Sequence, residues 1–184
     1  MKRDKFSIYL IILLTIIQAI NIVSFIVKKE YTYLFDVLVT YFGYLTFTFL
    51  DKKYSLKTKD YIKLLLVLTF IIHSLLGHNL GLYDKTHWFD NALHTFGSFS
   101  FALLFYSIVV NTTQFTVKSK SFIFILILAL GTASGSIFEI IEFILDTLLN
   151  TNKQKGLIDT NLDMIFNIIG SSLAGFVTIL NQKC

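Results

Sequence analysis

Charge is what this sequence has least of. Only 15% of its 184 residues are charged, against 54% hydrophobic, and the mean hydropathy is +0.68. A soluble domain of this length needs far more charge on its surface, so one large soluble core is excluded and a polytopic membrane protein is indicated. A single cysteine, Cys184, excludes an internal disulfide framework. No proline occurs, and together with nineteen phenylalanines this is the bias of an AT-rich prokaryotic genome. Nucleophile elbow, Walker loop, dinucleotide fingerprint, CxxC and HExxH are all missing, so none of the chemistries those motifs announce is signalled. The net charge of +4 resides in lysines of short loops between apolar runs, a mark of membrane topology and not of a nucleic-acid surface. No nucleic-acid partner is expected.

What is present is a series of long apolar segments. Residues 6–27, 33–50, 61–76, 92–110, 121–149 and 159–180 predict six spans in an all-α, polytopic transmembrane helical bundle, one integral membrane domain over 1–184. About 20 apolar residues at ~1.5 Å each cross ~30 Å of hydrocarbon. The first segment is too long for a signal peptide, and SFIVKKE offers no cleavage site, so an uncleaved first span is expected. Small residues in GTASG (Gly131 to Gly135) and at Gly170, Ser171, Ala174 and Gly175 suit close helix packing in lipid. With a cytoplasmic N-terminus, Lys2, Arg3, Lys5, Lys52, Lys53, Lys57, Lys59, Lys63, Lys118, Lys120 and Lys183 fall inside, and Lys28, Lys29, Lys85, Lys153 and Lys155 outside. Eleven against five predicts N-in and C-in in the cell membrane.

One stretch interrupts the apolar pattern. His78 to Gly97 (HNLGLYDKTHWFDNALHTFG) holds three of the four histidines, Asp84, Asp90 and the sole tryptophan, Trp88. Asp90 and His94 are four apart, on one helix face. Glu139, Glu142 and Asp146 form a stripe near the end of the fifth span, and Asp159, Asp163 and Asn167 another at the start of the sixth. Six crossings bring these clusters, with Asp36, to the same outer surface. Unpaired charge is costly in hydrocarbon, so the stripes should face one another or water.

Simpler roles account for part of the set. Acids at helix N-termini, such as Asp90, Asp159 and Asp163, suit the helix dipole and cap free N–H groups. That fails for Glu139 and Glu142, which lie in SIFEIIEFIL toward a helix C-terminus, where the dipole disfavours them. Asp84, His87 and Asp146 read as ordinary polar residues, Trp88 as an interfacial anchor, and His73 as a hydrogen-bonded packing residue. Asp36 suits either an interfacial or a functional position.

The pattern Asp90-x-x-x-His94-x-x-Gly97, Glu139-x-x-Glu142 and Asp159-Thr160-x-x-Asp163-Met164 with Gly170 resembles the YjdF-like inner-membrane proteins over about Tyr83 to Gly175. More distantly, Asp90/His94, Glu139 and Asp163/Asn167/Gly170 resemble the VanZ-like family, which is associated with glycopeptide resistance. Glu142 stands where the VanZ-like pattern has Gln. The loop Gln154-Lys155-Gly156-Leu157-Ile158 departs from the Gln-Gly-Asp-x-Trp of YjdF-like proteins. The resemblance implies kinship and supplies no reaction.

Carboxylates around an imidazole suit a divalent cation: Mg²⁺, Ca²⁺ or Mn²⁺, with His bringing in Zn²⁺ or Fe²⁺. The expected activity is metal-assisted hydrolysis or transfer on a lipid or lipid-linked envelope substrate. Asp90, His94, Glu139 and Asp163 would bind the metal, and Glu142 and Asp159 would support it or act as acid and base. The alternatives are an ion- or proton-coupled transporter using the same carboxylates, and a structural membrane protein whose acids only pair and cap.

Overall fold

A computed structural model of the chain describes residues 2–113, 119–149 and 151–181, the side chains of 2–4 and 149 excepted. Lys118, Lys183 and Cys184 lie outside the described residues. Every regular element among those described is helical, and six helices are long and apolar enough to cross a membrane: Lys5–Lys28, Thr32–Lys53, Asp60–Asn79, Phe89–Thr113, Lys120–Leu148 and Leu157–Asn181. The predicted spans all correspond, several with ends two or three residues longer. The chain divides into two compact units, Met1–Phe89 and Asp90–Cys184, so the polar stretch from His78 to Gly97 is split between them.

In the first unit, α1 (Lys2–Lys28) and α2 (Thr32–Lys53) precede α3 (Asp60–Ile71), which continues directly into a π-helical segment, Ile72–Asn79; a short α4 (Leu82–Lys85) follows. Helix α1 shows how the sequence divides between core and lipid. Ile8, Ile12, Ile16, Ile20, Val23 and Val27 form its exposed face, while Leu10, Leu14, Gln18, Asn21 and Phe25 are buried. Both series step by three and four residues, as helical faces must. The buried face carries the amides, while these exposed positions are all aliphatic, the reverse of a helix in water. That arrangement is stable only where hydrocarbon is the solvent.

The buried amides join the helices. Asn21 Nδ2 donates to Gln18 Oε1 and to Ser74 Oγ, both at 3.0 Å. Asn79 Nδ2 donates to Asn21 Oδ1 at 2.8 Å, and Ser24 Oγ and Lys28 Nζ donate to Asn79 Oδ1 at 2.8 and 2.9 Å. Between membrane helices such bonds contribute roughly 0.6–2 kcal/mol each, because unpaired amides find no water there. A second polar contact ties α2 to α3: Lys63 Nζ lies 2.7 Å from Asp51 Oδ2 and donates to Ser7 Oγ at 3.1 Å, while Asp51 Oδ1 accepts from Thr58 N at 3.1 Å.

Helix ends in this unit need neither proline nor, mostly, glycine. Glu30 N bonds back to Phe25 O and Lys29 N to Ile26 O, with Lys29 at φ 62°. Leu56 N to Asp51 O and Ser55 N to Lys52 O repeat the arrangement, with Ser55 at φ 51°. These are Schellman closures, which satisfy carbonyls left open at a helix C-terminus. A non-glycine left-handed residue costs roughly 1–2 kcal/mol, which the recovered hydrogen bonds offset.

The second unit contains α5 (Phe89–Thr113), α6 (Lys120–Leu149) and α7 (Leu157–Asn181). Helix α7 has the same inverted faces: Ile158, Leu162, Ile165 and Ile169 outward, Asp163, Asn167, Gly170, Ser171 and Ala174 inward. At Gly170 α7 crosses α5 so closely that a Cβ would collide with the Thr95 carbonyl oxygen and the Ser98 hydroxyl. Phe101 packs on Phe138 (centroids 5.1 Å) and Phe124 on Phe176 (4.8 Å), joining α5 to α6 and α6 to α7.

Candidate functional site

The polar residues of the second unit converge on His94. The four-residue spacing puts Asp90 and His94 one turn apart on α5; α6 supplies Glu139, and α7 supplies Asp163 and Asn167, also one turn apart. His94 Nε2 lies 3.5 Å from Asp90 Oδ1, 3.6 Å from Asp163 Oδ1 and 3.7 Å from Glu139 Oε1. Asp163 and Glu139 are buried, at 2% and 5% exposure. Three carboxylates thus surround one imidazole nitrogen, each beyond the ~2.7–3.2 Å of a well-formed N–H···O bond. Glu139 Oε1, Asp163 Oδ1 and Asn167 Nδ2 have no hydrogen-bond partner among the described residues.

The surroundings fix these groups. Gln154 Nε2 donates to Glu139 O at 3.0 Å and to Glu139 Oε2 at 3.3 Å, which leaves Oε1 as the oxygen facing His94. His94 Nδ1 and Asn167 Oδ1 are 3.4 Å apart. A proton on Nδ1 donated to that amide would select the tautomer with its lone pair on Nε2, toward the three acids. On α6, Gly135 leaves the space that the Asn167 side chain fills; a Cβ there would overlap its amide. Ligating atoms of Asp90, His94 and Asp163 all lie within 4.8 Å of one another. Two ligands held ~2.1 Å from one ion at tetrahedral angles stand about 3.4 Å apart, close to the spacings around Nε2.

Other residues of the stripes have local duties. Asp146 accepts from Lys153 N at 2.8 Å, from Gln154 N at 2.9 Å and from Thr151 Oγ1, so it shapes the loop that delivers Gln154. Asp159 accepts from Lys155 N at 3.0 Å at the start of α7. Glu142 is half-buried, three residues beyond Glu139 on α6. Asp84, His87 and Trp88 are exposed.

Asp36 belongs to the first unit, where its Oδ2 lies 3.5 Å from His78 Nε2, with His73 alongside. By sequence alone Asp36 groups with the C-terminal acids and His73 stands isolated, because α-helical periodicity separates His73 from His78. Gln154 likewise carries no signal in the sequence, since its contact with Glu139 depends on the path of the loop.

A family model for predicted membrane proteins, DUF2238, matches residues 9–183. An uncharacterised protein of Thermotoga maritima is 38% identical over 109 residues, 59% of this chain; the matched part spans 56% of that relative's length. No solved structure matches. With six apolar spans and a family match over nearly its whole length, this multi-pass membrane protein belongs to the DUF2238 family.

Proposed function

We propose that the second unit binds a divalent cation among Asp90, His94, Glu139 and Asp163 and uses it for hydrolysis or group transfer on a lipid or lipid-linked substrate. The observation carrying this reading is the trio of carboxylate oxygens 3.5–3.7 Å from one imidazole nitrogen, two of them without hydrogen-bond partners in a buried setting. Even with His94 protonated, three ionised acids leave two negative charges uncompensated. At this burial the balance must come from protons or from a cation. Oxygen-rich ligands with one nitrogen favour Mg²⁺ or Mn²⁺ and also admit Zn²⁺ or Fe²⁺. Such an ion would polarise a phosphoryl or acyl oxygen or acidify a water. Glu142 and Asp159 are the carboxyls nearest in sequence to take up and return the proton.

Metal analysis of detergent-purified protein, prepared without chelator, is the test. Wild type is expected to hold a divalent ion that is lost in both His94→Ala and Glu139→Gln. Equal metal content in all three proteins, each eluting as a single species, would refute the site. Cation flux in proteoliposomes that disappears with the same substitutions would move the reading to a carrier.

The site is proposed to open to the outer surface of the cell membrane, both termini being cytoplasmic. The lysine and arginine distribution supports this orientation. Green fluorescent protein fused after residue 184 is then expected to fluoresce, and alkaline phosphatase at the same position to be inactive. The opposite pair of results would invert the topology.

A further inference from the structure

The first unit contains a second group of side chains able to ligate a metal, built where α3 gives way to a π-helical segment. His73 and His78 are five residues apart. In an α-helix that spacing turns them about 140° away from each other. Here α3 gives way to the π-helical segment Ile72–Asn79, and the wider turn brings the two rings edge to face with centroids 4.6 Å apart. Segments of π-helix are rare and are frequently found at functional sites.

The neighbouring elements complete the group. From α2, Asp36 places Oδ2 3.5 Å from His78 Nε2. From α4, the Tyr83 hydroxyl lies 2.7 Å from His73 Nδ1. Tyr33 stacks on the His78 ring, with centroids 4.3 Å apart and planes inclined by 21°. Gly77 makes room for Tyr83, since a Cβ there would stand only 2.3 Å from a carbon of the phenol ring. Asp36 is buried, both histidines are half-buried, and one ligating atom from each of the three lies within 4.8 Å of the others.

We propose that Asp36, His73 and His78 form a second metal site, separate from the one around His94 and selective for a borderline ion of the Zn²⁺ or Fe²⁺ class. Two imidazoles and one carboxylate are the donor set that such ions prefer, whereas Mg²⁺ and Ca²⁺ need more oxygens. Three protein ligands leave a coordination position for water or substrate. Tyr83 is the outer partner that ligating histidines usually have: Nδ1–H donated to the phenol oxygen leaves the lone pair of His73 on Nε2. Tyr33 holds the His78 ring in its plane. The contrast with the carboxylate-rich set of the second unit predicts that the two sites sort hard and borderline ions between them.

Cobalt titration of the full-length, chelator-treated protein in detergent tests this, with Co²⁺ alone as the probe. The His94→Ala/Glu139→Gln background silences the second unit. In it, one Co²⁺ per chain is expected, with visible d–d absorption of nitrogen–oxygen ligation, displaced by Zn²⁺ and not by Mg²⁺. Adding His73→Ala or His78→Ala should abolish that absorption, and Asp36→Asn should weaken binding at least tenfold. Tyr83→Phe should keep the stoichiometry but lower affinity roughly 10–100-fold, as loss of an outer partner does. Absence of Co²⁺ binding in the monodisperse background protein would overturn the proposal. So would binding indifferent to Asp36→Asn, a near-isosteric change that keeps the test decisive if the histidine variants do not fold. If only the proposal for the second unit fails, wild type still binds one Co²⁺, insensitive to His94→Ala. If only this one fails, the single Co²⁺ disappears with His94→Ala.

Discussion

Replacing Gly170 by valine is expected to destabilise the second unit by about 3 kcal/mol, the upper end for overpacking, and to abolish the proposed metal binding along with the packing. The reason is what the new side chain meets. A Cβ at Gly170 would overlap the Thr95 carbonyl oxygen and the Ser98 hydroxyl of α5. A flexible side chain can swing away, but a backbone carbonyl in mid-helix can move only with its helix. Helix α7 would have to retreat from α5 just where His94, one residue before Thr95, faces Asp163 and Asn167. Separating them by even 1 Å would spoil the proposed ligand set, whose spacing would have to hold to a few tenths of an ångström. Thermal unfolding followed by size-exclusion chromatography in detergent, with metal analysis of the surviving fraction, checks both effects. Gly43→Val on α2 is the control for a helical glycine without a close neighbour, since nothing lies within 4 Å of its Cβ position. A Gly170→Val protein as stable as wild type would mean that α5 and α7 do not approach this closely.

The second large effect belongs to the first unit. Lys63→Met is expected to cost about 3 kcal/mol, the lower end for breaking a buried ion pair. Lys63 and Asp51 are 5% and 8% exposed and lie 2.7 Å apart, and Asp51 is also held by Thr58 N. Removing the lysine leaves a buried carboxylate whose remaining partner is neutral. Removing both charges should cost less, because an ion pair that loses its hydration gains little net stability over well-packed apolar residues. The Lys63→Met/Asp51→Leu protein is therefore expected to recover at least half of the lost stability. Unfolding midpoints of the two single variants and the double variant measure the coupling. Additive losses would mean that each residue acts through other contacts. This lysine also qualifies the charge count used for orientation: it is held inside a helix pair, not free in a loop, so ten of the eleven basic residues remain to support the expected inner-face bias.

His78 and His94 show where reading along the chain succeeds and where it stops. Both stand in the same polar stretch. His94 was identifiable because Asp90 lies four residues before it and α-helical geometry alone puts the two together. His78 was not, because its partners come from α2 and from a change of helix type that no residue between Ile72 and Asn79 announces. Glu139 was legible as a misfit, a charge in an aliphatic run, and Asp163 as the middle of the stripe Asp159, Asp163 and Asn167. Gln154, which orients Glu139, was not: it sits in an unremarkable polar loop, and only the capping of Asp146 brings it there.

By itself the sequence determined the membrane character, the six helices and their approximate ends. Span length, scarcity of charge and helical periodicity are local properties, and hydrocarbon enforces them without reference to other parts of the chain. It also determined that certain acids required partners, since an isolated charge in a span is too costly to keep. Tertiary structure alone decided which partners they have. Whether Asp36 meets a histidine or Glu139 meets a glutamine depends on crossings set by small residues, on a π-helical shift of register and on the path of a loop. Those contacts join residues far apart in the chain, and their distances carry no periodic signature.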